Sequence, residues 1–184
     1  MKAIILLNPV ALKVILWTIN CILSCQVAYA TNTYILGTCK QCVFFGNIDD
    51  FQRTFTGGST AWCMFIVSSC FVSFATGIVA LLGVYQKYRN VNTRFKLSNC
   101  RVLFILKVSL LWTMSAAMVA TMGYVVWCKS FKVNSCAFNI YMDWFAFTPK
   151  HSDCFHARYY QLQIIAVLWG SFLWQSYDYY KSMK

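Results

Sequence analysis

Ten cysteines stand in 184 residues, and their spacing decides what chemistry this chain can carry. Cys39-x-x-Cys42 has the separation of a zinc-ligand pair or of a redox dithiol, and His151, Asp153, Cys154 and His156 cluster further on. A structural zinc site prefers four thiolate or imidazole ligands in a reducing compartment. A redox dithiol sits where a strand turns into a helix, a context that 39–42 lacks. The third possibility is the disulfide. Cys39, Cys42, Cys63, Cys128, Cys136 and Cys154 fall in or beside two segments between long apolar runs, whereas Cys21, Cys25 and Cys70 lie inside runs. Six cysteines on one side of a membrane, in an oxidising compartment, suit three disulfides, and the sequence leaves 15 pairings open. No metal and no cofactor is expected. Cys100, beside Arg101, is either a palmitoylation candidate or a free thiol at a membrane boundary.

Catalytic groups are sparse. The five acids are all Asp, at 49, 50, 143, 153 and 178, and the apolar runs hold no Asp or Glu and no His apart from the boundary residue His156. A membrane enzyme needs ionisable groups in a protected site. There is no Gly-rich phosphate loop, no His-x-x-x-His helix and no nucleophile elbow. The sequence therefore reads as a non-enzyme. Lys13, Asn20 and Ser24 form one polar stripe at helical spacing. The stripe either lines a pore or meets a partner, or else its lysine snorkels and its other members hydrogen-bond to neighbouring helices.

These groups must be positioned by membrane-spanning elements. The chain is 59% hydrophobic and 11% charged, against about 25% charged in a soluble domain. Four stretches, 10–30, 62–85, 102–127 and 160–177, approach the roughly 20 residues that cross a hydrocarbon core. In lipid, separate apolar runs of this length must be helices, because nothing else satisfies the backbone. The fourth is shorter and more polar, with Gln161, Gln163 and Gln175, and is flanked by Tyr159, Tyr160, Trp174, Tyr177, Tyr179 and Tyr180 as interfacial aromatics. Ala28-Tyr29-Ala30 resembles a signal-peptide cleavage site, but Lys13 interrupts the run before it and the run is longer than a signal core.

The expected fold is an all-α integral membrane domain over 1–184: a bundle of four transmembrane helices, outer loops 31–61 and 128–159 stapled by disulfides, and a cytosolic loop 86–101. That loop and its boundary hold Lys87, Arg89, Arg94, Lys96 and Arg101 with no acid, whereas four of the five acids dilute the basic residues outside. The positive-inside rule then puts the N- and C-termini in the cytosol. The net charge of +11 lies between apolar runs, so the same five basic residues are expected to meet anionic lipid headgroups, not nucleic acid.

Ser69, Ser73 and Gly77 recur every four residues in the second run, and Ser109, Thr113, Ala117 and Thr121 do so in the third. Small residues on one face let membrane helices approach closely, either within the bundle or against a partner's helix. Met114, Met118 and Met122 form a separate stripe for lipid or an adaptable partner.

Several short segments are similar to the transmembrane protein 179 family. Leu36-Gly37-Thr38-Cys39-Lys40-Gln41-Cys42-Val43-Phe44-Phe45 resembles its segment after the first span, and Ala61-Trp62-Cys63 its second-span opening. Gly123-Tyr124-Val125-Val126-Trp127-Cys128, Asn134-Ser135-Cys136, Phe155-His156-Ala157-Arg158-Tyr159-Tyr160 and Leu168-Trp169-Gly170 resemble its later landmarks. The resemblance implies a tetraspan fold and little about activity. Cys39 and Cys154 look additional to the family pattern and would form an extra pair. Cys42 with Cys63, and Cys128 with Cys136, are the staples expected.

The expected function is that of a non-catalytic accessory subunit of a larger membrane protein, such as an ion channel or receptor, in the plasma membrane or a secretory-pathway membrane. The alternative is a homo-oligomeric pore or junction protein. Connexins share four spans and three cysteines per outer loop, but their spacings do not match. A claudin-like role ranks below both, since the Trp–Gly–Leu–Trp–Cys–Cys signature is absent.

Overall fold

The computed structural model describes residues 9–49, 54–89, 99–130 and 157–183. Pro9 opens α1 (Pro9–Ala30), at the one helical position where its missing N–H costs nothing. The helix runs on in π-helical form over Thr31–Thr38. An antiparallel hairpin follows, β1 (Cys42–Asp49) and β2 (Thr54–Gly58). Then come α2 (Thr60–Arg89), α3 (Asn99–Ser130) and α4 (Ala157–Met183). Ser59 caps α2, its Oγ accepting from Ala61 N at 3.3 Å.

Three segments, Val10–Gly37, Thr60–Gln86 and Arg101–Ser130, are helical, long and apolar enough to cross a membrane. The chain is accordingly a multi-pass membrane protein. α4 is not in this set: Gln161, Gln163, Ser171, Gln175, Ser176 and Asp178 lower its apolar character. The segment 31–61, expected as a loop, instead begins with the continued helix and then folds as the hairpin. Surface and interior are inverted relative to a soluble protein. Ile22, Phe71, Phe104, Met122 and Leu173 are exposed, while Asn20, Ser73, Gln175 and Asp178 are buried. Lipid-facing hydroxyls are satisfied within their own helices: Thr18 donates to Val14 O and Ser115 to Leu111 O, both at 2.9 Å.

The helices pack in chain order, α1 on α2, α2 on α3 and α3 on α4, with a thinner seam where α4 closes on α1. Gly77 is what lets α2 lie against α1, since a Cβ there would collide with Cys21 Sγ. The hairpin covers one end of the bundle. Between the pairs Cys42–Gly58 and Asn47–Thr56 the register breaks, six residues of β1 standing against three of β2, and Phe45 takes a left-handed φ of 61° there. A bulky residue adopts that conformation only when its surroundings hold it. Here the bulge buries Val43 and Phe44 and lays the Phe45 ring 5.3 Å from that of Trp62. Gly123 of α3 makes room, because a Cβ there would sit 2.9 Å from Phe44 Cβ and from the Phe45 ring.

Two glycines of α2 make opposite predictions. Gly77→Ala forces α1 and α2 apart and is expected to cost about 1–3 kcal/mol, the range for overpacking. Gly83→Ala meets nothing within 4 Å and should be neutral or stabilising by up to about 1 kcal/mol through helix propensity. Thermal unfolding of the two variants in detergent micelles checks the contrast; equal midpoints would refute the close α1–α2 approach.

Candidate functional site

The polar side chains of the bundle meet along its axis in layers. In the central layer Gln175 of α4 donates from Nε2 to Ser73 Oγ of α2 at 2.9 Å and to Thr113 Oγ1 of α3 at 3.5 Å. Its Oε1 accepts from Ser109 Oγ of α3 at 2.9 Å. Asn20 of α1 donates to the same Ser73 Oγ at 3.1 Å and accepts from Ser171 Oγ of α4 at 2.5 Å. One network thus joins all four helices, and its members are buried. A buried amide without partners costs about 1–3 kcal/mol, so each of these bonds also removes a penalty.

Towards the end away from the hairpin lies an ion pair. Lys13 Nζ is 2.7 Å from Asp178 Oδ1, and Trp17 Nε1 donates to Asp178 Oδ2 at 3.1 Å. Asp178 is 2% exposed, whereas the Lys13 side chain keeps 31% of its surface and reaches outward. Trp17 is fully buried and meets Trp174 edge-on with centroids 6.0 Å apart. Ala80 and Leu106 close this cluster from α2 and α3.

At the hairpin end the ties are covalent and aromatic. Cys42 is bonded to Cys63, with Cα atoms 5.8 Å apart, fixing β1 to the first turn of α2. Closing a loop of 21 residues in this way restricts the unfolded chain by about 3 kcal/mol. Cys39 and Cys128 are also disulfide-bonded, while Cys21, Cys25 and Cys70 are free. The Cys39-x-x-Cys42 sulfurs are thus both consumed in disulfides, and not with each other, so neither a zinc pair nor a redox dithiol exists there. Trp169 Nε1 donates to Thr121 Oγ1 at 3.1 Å, and Tyr34 stacks on Tyr160 at 4.8 Å. Gln161 is fully buried, and among the described residues neither amide atom has a hydrogen-bond partner.

The residues singled out in the sequence fall as follows. Ser69, Ser73, Gly77, Ser109, Thr113 and Ala117 are buried and Thr121 is half-buried, so both small-residue faces pack against the chain's own helices. Asn20 and Ser24 turn into the bundle as well, and Lys13 is engaged by Asp178. Met118 and Met122 are exposed, as is Arg101. Arg94, Lys96, Cys136 and Cys154 lie outside the described residues, as do the side chains of Lys87, Arg89 and Cys100. Sequence reasoning missed Asp178. It lies one residue past the apolar window 160–177, yet the helix continues and turns it inward. The available signal was a lone acid and a lone lysine at the same end of two helices.

Compared with family models, curated proteins and solved structures, the chain matches none.

Gln175→Leu removes three hydrogen bonds. At about 0.6 kcal/mol each for membrane proteins, the expected cost is about 2 kcal/mol. Asp178→Ala leaves Lys13 and Trp17 Nε1 without their acceptor. Because Lys13 can still reach water, the cost should fall below the 3–5 kcal/mol of a fully buried broken pair, at about 2 kcal/mol. A double-mutant cycle of Asp178→Ala with Lys13→Met, read by unfolding in micelles, separates the pair from its surroundings. Additive effects would mean that the ion pair contributes nothing.

Proposed function

We propose that this chain is a four-span membrane protein with both termini in the cytosol, acting without catalysis as an accessory subunit of a larger membrane protein such as an ion channel or receptor. The observation that carries the reading is that six polar groups of the bundle's centre are spent on one another. Asn20, Ser73, Ser109, Thr113, Ser171 and Gln175 hold helices together. Lys13, Asn20 and Ser24, which a pore would present to water, face other helices or an aspartate. With the axis packed, what the chain offers its surroundings is its lipid-facing flank and its stapled hairpin. A protein built this way acts by contact, and effects on assembly, trafficking or gating of a partner are what contact can deliver.

The topology has its own support. The disulfide-bonded cysteines Cys39, Cys42, Cys63 and Cys128 belong to one end of the bundle, as expected for an oxidising side. α4 crosses, on this reading, because Ser171, Gln175 and Asp178 each find a partner on α1, α2 or α3 and so enter the bilayer neutralised. The exposed Arg101 and its neighbours in 86–101 then meet anionic lipid on the cytosolic side. The plasma membrane is the expected location. The resemblance to the transmembrane protein 179 family agrees with a tetraspan.

A glycosylation acceptor appended after Lys184 reads the topology directly. Four spans keep it cytosolic and unmodified; three would expose it to the lumen. The wild-type chain should remain unglycosylated, and the combined change Asn20→Leu, Ser73→Ala, Ser109→Ala should shift a measurable fraction to the glycosylated form. Glycosylation of the wild-type chain would overturn the four-span topology.

The accessory role is tested by purification in mild detergent from native tissue. A larger membrane protein at fixed stoichiometry is the expected result. A ring of several copies of this chain alone would instead establish the pore.

A further inference from the structure

The seam between α1 and α4 has an open groove of about 260 Å³ near its hairpin end, lined by Leu23, Gln26, Ala30, Tyr160, Gln163 and Val167. All but the two glutamines present apolar or aromatic surface. Gln26 and Gln163 are exposed, and among the described residues no group hydrogen-bonds to either amide. This sets them apart from the lipid-facing hydroxyls of Thr18 and Ser115, which their own helices satisfy.

On the four-span topology proposed above, on which this inference rests, both amides lie inside the membrane-spanning part of their helices. Gln26 stands 13 residues above Lys13, about 20 Å along a helix, and Gln163 stands 15 residues from Asp178, about 22 Å. Lys13 and Asp178 touch, so the two glutamines are level. Each carries two donors and two acceptor lone pairs. A phospholipid ester offers acceptors only and would leave the amide N–H groups matched but the carbonyls bare. A second carboxamide matches both.

We infer that the α1–α4 seam pairs with the same seam of a second copy of this chain, Gln26 and Gln163 of each copy exchanging amide hydrogen bonds with those of the other. Two copies oriented alike in a bilayer are related by a two-fold axis along the membrane normal. Such an axis sets each residue opposite its own counterpart at the same depth, and because the two amides are level it also lets Gln26 of one copy meet Gln163 of the other. The surface is self-complementary, as an isologous contact requires. On the adjoining α4 surface Ala166 and Gly170 are exposed, and nothing lies within 4 Å of a Cβ at Gly170, so the helices can approach without obstruction. This pairing is independent of the accessory role and does not require it.

The test uses the full chain, labelled with donor or acceptor dye and reconstituted in phosphatidylcholine vesicles over a range of protein-to-lipid ratios. Energy transfer should show a dimer. The double variant Gln26→Leu, Gln163→Leu should weaken dimerisation roughly tenfold, and Gln26→Asn, Gln163→Asn should recover part of it. Met122→Leu, on an exposed face of α3, should leave it unchanged. Helix content and thermal midpoint confirm that each variant is folded. A wild-type chain monomeric at every ratio, a dimer indifferent to the leucine pair, or a monomer retaining a lipid in native mass spectrometry would each overturn the inference.

Discussion

An amide left bare in hydrocarbon is costly, and Gln175 is where that constraint organises the centre of this bundle. Its two ends face different hydroxyls on α2 and α3, and Ser73, which accepts from it, also accepts from Asn20. None of these contacts survives alone. If α4 rotates, Gln175 loses Ser73 and Ser109 together, and Ser171 leaves Asn20. Helix register is therefore set by polar matching, while apolar side chains, equally content in lipid or in the core, set little. This is the reverse of a soluble bundle, where apolar burial drives association and polar groups only refine it.

The two ends of the bundle solve the same problem with different chemistry. Around Asp178 the tie is ionic, with Lys13 able to extend toward water while its carboxylate partner stays among Trp17, Trp174 and Leu106. At the hairpin end the tie is covalent, and the bulge at Phe45 converts a two-stranded ribbon, marginal alone, into a lid seated on Gly123. The disulfide to Cys63 holds the strand in place before any packing is counted.

Much of the helical part was legible, because an apolar run of about 20 residues has few alternatives. The spacing of Ser69, Ser73 and Gly77, and of Ser109 to Thr121, gave the packing faces, since backbone proximity needs small side chains in a row. What the sequence concealed depends on distant residues. The hairpin was not legible: Val43 and Phe44 are consecutive and both buried, which breaks strand alternation, and the bulge that permits this is held by Trp62 and Gly123. Asp178 was taken as the residue beyond a span because a hydropathy window reads each position alone. Its burial depends on Lys13 and Trp17, at the other end of the chain. Location sorted the cysteines and left 15 pairings open; the expected Cys42–Cys63 staple is present, whereas Cys136 and Cys154 lie outside the described residues.

On the proposed four-span topology, the same reasoning accounts for the polarity of α4. A hydropathy sum charges every polar side chain as though it met lipid, yet Ser171, Gln175 and Asp178 meet α1, α2 and α3 instead. Ser176 is met by its own helix, donating to Phe172 O at 2.7 Å. Removing these four from the account leaves Leu162, Ile165, Leu168, Phe172 and Leu173 to set the character of the helix. What then stand out are two glutamines of α4 with no partner among the described residues, Gln161, which is buried, and Gln163. Gln163 faces outward beside Gln26, and in a molecule that matches its central amides from within, two level amides left open on one seam mark the surface where matching continues beyond the chain.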